Sequence, residues 1–172
     1  EWSVTGVQTC ALPIYLISAT LLGVMAQRLV RLMDLGVAPY LISATLLGVM
    51  AQRLVRTLCP HCKRDTHIDP DAWETLISPF KGKLPDKVKM PVGCLECRKT
   101  GYMGRVGIYE IMVLSQELKD MISHSAELNT IRKQALKEGM RTLRLSGAHK
   151  VAAGLTTPEE VLRVAPAISG LS

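Results

Sequence analysis

Four of the five cysteines stand in two matching spacings, Cys59-Pro-His-Cys62 and Cys94-Leu-Glu-Cys97. Two such knuckles let four thiolates converge tetrahedrally on one Zn²⁺, with Zn–S of about 2.3 Å. A chain folded this way must bring residues 59–62 against residues 94–97 and close the intervening stretch as a loop. Each pair is followed by two cations, Lys63-Arg64 and Arg98-Lys99, which offset the net negative charge of four thiolates around a divalent ion. Four sulfurs leave no open position for water, so the metal reads as structural and not catalytic. His61 and His67 stand near the site but are surplus to it, and read as surface residues. The paired spacing favours zinc over an iron–sulfur cluster, which stays an alternative. A disulfide pair would need an oxidising compartment, and a single redox motif would not need the second copy.

The N-terminal stretch reads differently. Residues 15–31 are YLISATLLGVMAQRLVR, and residues 40–56 repeat them without a change. True structural repeats drift, because packing holds only their core positions. A perfect pair therefore reads as a duplication. Residues 4–14, VTGVQTCALPI, resemble the translation of a sequencing adapter, and include the fifth cysteine, Cys10. Residues 1–30 are accordingly expected to be artefactual and are set apart from the fold. The competing reading is a membrane span over residues 2–27, which are uncharged and long enough. Against it stand Gly6, Gln8 and Pro13, and no basic residue precedes the stretch.

From residue 31 onward the pattern is that of an α/β chain. Residues 34–39 are a turn-rich connection. Ser43 is expected to cap a short helix over 44–48. Residues 49–58 are ambiguous by periodicity. Residues 104–114, GRVGIYEIMVL, read as a buried strand. Residues 71–77 suit one short helix. Further on, Ser115 can cap 116–123, and residues 126–138 carry Leu128, Ile131, Ala135 and Leu136 on one face. Gly139 stops that helix and Gly154 stops the next, over 142–153. Thr157-Pro-Glu-Glu160 is a capping box with Pro at the first helical position, opening 158–164. Residues 166–172 are expected to fray.

Charge and composition narrow the function. The formal charge is +6, and aromatic residues are only 4% with a single Phe. A reader of stacked bases needs several exposed rings. No dense Lys/Arg face is visible either, so nucleic acid is not expected as a partner. A free-standing zinc ribbon that binds nucleic acid is the rival from another class. Catalytic machinery is not visible. No G-x-x-x-x-G-K-[ST] loop occurs, since Gly82-Lys83 runs on into Leu84. Neither G-x-G-x-x-G nor a nucleophile elbow is present.

Three segments carry a resemblance: residues 47–63, LGVMAQRLVRTLCPHCK; residues 93–110, GCLECRKTGYMGRVGIYE; and residues 138–144 with 150–164, EGMRTLR and KVAAGLTTPEEVLRV. Together they resemble the C-terminal part of the ATPases of type II secretion and type IV pilus assembly. The resemblance implies the last strands of a RecA-like ATPase core, with a tetracysteine zinc module inserted in a hairpin and a helical C-terminal extension. It divides the chain into residues 31–56 (end of the core), 57–104 (zinc insertion) and 105–172 (final core strand and extension). It makes residues 49–58 and 105–114 the flanking strands. It carries the metal-ligand role onto Cys59, Cys62, Cys94 and Cys97. It implies a cytoplasmic homo-hexamer, peripheral to the inner membrane and working with platform proteins there. ATP and Mg²⁺ would bind only in the full-length parent, because the phosphate loop lies upstream. Whether this chain is an enzyme is left open, and the reading leans to type II secretion over the pilus branch.

Glu110 lies within the apolar strand, where a carboxylate is costly to bury unless paired. Arg53 is the expected partner, with Arg56 second.

Overall fold

The computed structural model describes residues 14–18, 32 and 34–165. In chain order the elements are β1 (Ile14–Ser18), α1 (Pro39–Thr45), β2 (Leu46–Leu58), β3 (Arg64–Thr66), α2 (Pro70–Ile77), β4 (Val88–Met90) and β5 (Tyr102–Val113). Four helices follow: α3 (Gln116–Ser123), α4 (Leu128–Lys137), α5 (Leu143–Ala152) and α6 (Pro158–Val164). The frame is a long antiparallel pair, β2 against β5, in register from Gly48↔Val113 to Arg56↔Arg105, with the register shifting before Leu58↔Tyr102. Between its arms the chain leaves as the cysteine region and returns, with β3 and β4 forming a small antiparallel pair of their own. The ambiguous residues 49–58 are thus strand, and the tetracysteine region interrupts a hairpin.

Opposed residues in such a pair share a face. One face carries Val49, Ala51, Val55, Ile108, Glu110 and Met112, all buried. Helices cover it in two groups. Ile42 of α1, Leu118 and Ile122 of α3, and Ile131 and Ala135 of α4 pack at the Val49–Met112 end. Trp73, Leu76 and Ile77 of α2, Ala148 and Val151 of α5, and Val161 of α6 pack at the Val55–Ile108 end. Burying one such Leu, Ile or Val fully is worth about 1.5–3 kcal/mol.

Most helix starts follow from single residues. Asp69, Ser115, Thr142 and Thr157 each accept a backbone N–H of the first turn, which satisfies a donor the helix cannot. Gly139 and Gly154 end α4 and α5 at φ 97° and 65°, where a Cβ would be strained. The helix expected over 44–48 is a correction. Pro39 starts α1 earlier, Ser43 Oγ bonds back to Tyr40 O, and β2 has begun by Leu46.

β1 lies parallel to β2, from Ile14↔Leu46 to Ser18↔Ala51. Part of the segment set apart from the fold is therefore paired with it. The sequence YLIS is strand at Tyr15–Ser18 and helix at Tyr40–Ser43, so tertiary context overrides local propensity here. The rest of the segment set apart, and residues 166–172, lie outside the described residues. Among the described residues no helix is long and apolar enough to cross a membrane.

Glu110 is buried, with 2% exposure. Of its expected partners, Arg53 donates to Gln52 O through Nη1, and Arg56 binds Glu160. Glu110 accepts from Leu143 N at 3.1 Å, the first residue of α5, where the helix end offers free N–H groups and positive potential. Buried Arg132 of α4 stands close enough to feel its charge. Arg132 comes from a helix packed on the sheet, a neighbour that strand pairing could not reveal.

Candidate metal centre

The four cysteines come from the two ends of the hairpin. Cys59 and Cys62 follow β2 directly, and Cys94 and Cys97 precede β5. The strand pair anchors both knuckles, because Cys59 N donates to Gly101 O at 2.9 Å. The four Sγ atoms all lie within 4.8 Å of one another. Cys59–Cys94, Cys62–Cys97 and Cys94–Cys97 sulfurs are 3.8, 3.9 and 3.7 Å apart. A tetrahedron with 2.3 Å arms has edges of about 3.8 Å. The set therefore fits one metal ion at its centre and is too tight for a cluster of several irons. All four cysteines are free, so the disulfide alternative is not what the geometry shows.

Backbone geometry serves the sulfurs. Gly93 N donates to Cys62 Sγ at 3.2 Å, and Cys94 N and Gly101 N donate to Cys97 Sγ at 3.1 and 3.2 Å. Such bonds favour the thiolate. Gly93 sits at φ 108°, where a Cβ would meet Lys99 O at 2.6 Å. Arg98 and Lys99 adopt positive φ of 53° and 60° to close the second knuckle. As thiols the cysteines are unequal. Cys97 is pulled down to about 6, because burial pushes it up but the N–H groups of Cys94 and Gly101 outweigh that. Cys94 is pushed up to about 11, because the Cys97 backbone pulls it down but burial and the neighbouring sulfurs win.

Of the other residues singled out, His61 and His67 are exposed, and the metal-ligand set found among the described residues holds cysteines only. Lys63 does more than balance charge, since its Nζ donates to Gly154 O at 2.9 Å. That bond is one of several tying the cysteine region to the α5–α6 connection. Leu58 N donates to Leu155 O at 2.8 Å, and Thr156 Oγ1 to Arg56 O at 2.8 Å. Arg56 stacks over the Tyr102 ring at 4.1 Å and binds Glu160 through two guanidinium nitrogens. The sequence motif marks Glu160 as a capping-box residue only. Its cross-chain role left no local signal, because the partner is on a strand far away in sequence.

A family sequence model described as Type II/IV secretion system protein matches residues 25–163. The chain is 49% identical over 152 residues to the type IV pilus assembly ATPase TfpB of Acinetobacter baylyi, covering 88% of this chain and 22% of that protein. It is 45% identical over 151 residues to the type II secretion system protein E of Pectobacterium carotovorum subsp. carotovorum, covering 87% and 24%. With the type II secretion system protein E of Aeromonas hydrophila the identity is 40% over 162 residues, covering 94% and 27%. The chain thus spans about a quarter of the length of these relatives. Since the matched span takes in both long strands, all four cysteines and the helices through α5, the chain belongs to the type II/IV secretion system protein family.

Proposed function

We propose that this chain is the C-terminal part of a hexameric ATPase that drives assembly of a type IV pilus or a type II secretion pseudopilus. Within it, residues 57–104 are a structural Zn²⁺ module held by Cys59, Cys62, Cys94 and Cys97. Residues 31–56 and the strand that opens residues 105–172 are the last strands of a RecA-like core, and the helices after it are the C-terminal extension. The observation that carries this is the four-sulfur cluster set between the arms of a hairpin in a chain that matches this family over most of its length. Zinc suits an all-thiolate set with tetrahedral edges. The ion locks the two knuckles together and has no catalytic step. ATP and Mg²⁺ bind in the part of the longer protein outside this chain, which works at the cytoplasmic face of the inner membrane with platform proteins.

The test is a graft. Residues 34–165 replace the matched segment of the Acinetobacter relative in one strain, and of the Pectobacterium relative in another. Recovery of pili or of secreted protein supports the reading and names the branch. A soluble, zinc-loaded graft that restores neither would overturn it.

A further inference from the structure

Four consecutive residues between α5 and α6, 154–157, are each bonded to a residue that flanks the cysteine knuckles. Lys63 Nζ donates to Gly154 O at 2.9 Å, Leu58 N to Leu155 O at 2.8 Å, and Thr156 Oγ1 to Arg56 O at 2.8 Å. Thr157, the N-cap of α6, meets Tyr102 through the two hydroxyls at 3.4 Å. Thr156 and Thr157 are buried. The Lys89 side chain of β4 lies against Gly154, where a Cβ would meet it at 2.7 Å. The grip continues to sulfur, because Cys59 N donates to Gly101 O and Gly101 N to Cys97 Sγ. Lys63 N donates to Cys59 O at 3.1 Å and so closes the first knuckle. Gly154 and Leu155 give their own N–H groups to Val151 O and Lys150 O of α5 and turn their carbonyls to the knuckle.

We propose that the first cysteine knuckle and residues 154–157 form one coupled unit, in which Lys63 is a positioning residue. Docking of the connection holds the backbone that carries Cys59 and Cys62 in its metal-binding shape, and a filled site in turn fixes the start of α6. The coupling rests on the zinc reading of the four sulfurs. Coupling between two sites is reciprocal by thermodynamic necessity, so residues remote from the sulfurs in sequence govern how firmly the metal is kept. Lys63 suits the role, because it adjoins Cys62 and its bond to Gly154 O is charge-assisted, a class roughly twice as strong as neutral bonds. Arg64, the next cation, is exposed at the start of β3. The Arg56–Glu160 pair carries the unit on into α6. Helices α3 and α4 pack at the Val49–Met112 end of the hairpin and lie outside it.

The experiment follows zinc release from the loaded chain to a chromogenic chelator, together with amide exchange at Leu58, Glu160 and Val161. Leu58 N spans the junction, and the other two amides bond to Thr157. Lys63→Met and Thr156→Val are expected to bind zinc but release it about 5- to 10-fold faster, within the usual range for coupled sites, and to speed exchange at Glu160 and Val161. Lys63→Arg, which keeps a cationic donor, should release zinc at nearly the original rate. Arg64→Met, which removes a neighbouring charge, should leave release unchanged, and so should Glu110→Leu, away from the junction. Equal acceleration by Arg64→Met would reduce the effect to charge, and by Glu110→Leu to global stability; either overturns the proposal. Unchanged release in Lys63→Met overturns it too, and leaves the zinc reading standing. Should the variants not fold, the unaltered chain decides. Removing zinc must then speed exchange at Glu160 and Val161 while α3 keeps its protection, and unchanged exchange there overturns the coupling. A chain that holds no metal sinks the zinc reading itself, and the coupling with it.

Discussion

Arg56 and Glu160 are joined by three bonds across 104 positions of sequence. Arg56 Nη2 and Nε donate to Glu160 Oε1 and Oε2 at 2.6 and 2.9 Å, and Arg56 N donates to Oε2 at 3.3 Å. The pair fixes α6 to the edge of β2 that β1 does not reach. The carboxylate is nearly buried and the guanidinium half exposed. Hydrogen bonding to Arg56 holds Glu160 below the usual carboxylate range and outweighs burial. A carboxylate depressed in the fold stabilises it at neutral pH, and that contribution drains away as pH falls below about 4 toward the folded value. Glu160→Gln should cost about 1–3 kcal/mol at pH 7 and flatten the acid limb of stability against pH. Denaturant melts at pH 7 and pH 3 check this; an equal loss at both would contradict it.

Metal removal should act locally first. The purified chain is expected to carry one zinc by elemental analysis. Cys94→Ser should lose it and speed amide exchange across residues 58–102, while α3 and α4, packed at the other end of the hairpin, keep their protection. Structural zinc sites contribute on the order of 10 kcal/mol to the fold of small metal-bound peptides. Melting of every helix together on chelation would contradict the local picture.

Glu110 and Arg132 should behave as a coupled unit. Removing the carboxylate leaves Leu143 N and a buried guanidinium without it, so Glu110→Leu should cost about 3–5 kcal/mol. Burial already makes the Arg132 proton easier to lose, and the Glu110 charge opposes that. Adding Arg132→Met should recover part of the loss. Strictly additive effects in the double-mutant cycle would show that the two do not interact.

Gly147 sits in the middle of α5, where alanine would normally favour the helix by about 1 kcal/mol. Here a Cβ would run into the Val161 side chain of α6. Gly147→Ala is therefore expected to lower stability by about 1–3 kcal/mol, and Val161→Ala in the same chain to restore some of it. A stabilising Gly147→Ala would mean that α6 moves aside freely.

What the sequence revealed follows the range of each signal. The caps at Ser115 and Thr157, the stops at Gly139 and Gly154, and the two cysteine knuckles are local patterns, and the structure has them where the residues stand. The pairing of Arg56 with Glu160 and of Glu110 with the α5 N-terminus depends on which helix lands on which strand. No spacing encodes that. The misplaced helix at 44–48 has a nearer cause, since Ser43 looked like a cap while Pro39 had already fixed the first turn.

The twin YLIS segments say something about the edge of β2 between Leu46 and Ala51. An edge reads its neighbour through backbone donors and acceptors alone. It therefore admits a stretch able to lie extended, even one whose copy, 25 residues later in the same chain, coils into α1. The backbone ladder at that seat does not distinguish one extended stretch from another, so any preference between them has to come from the side chains on its faces.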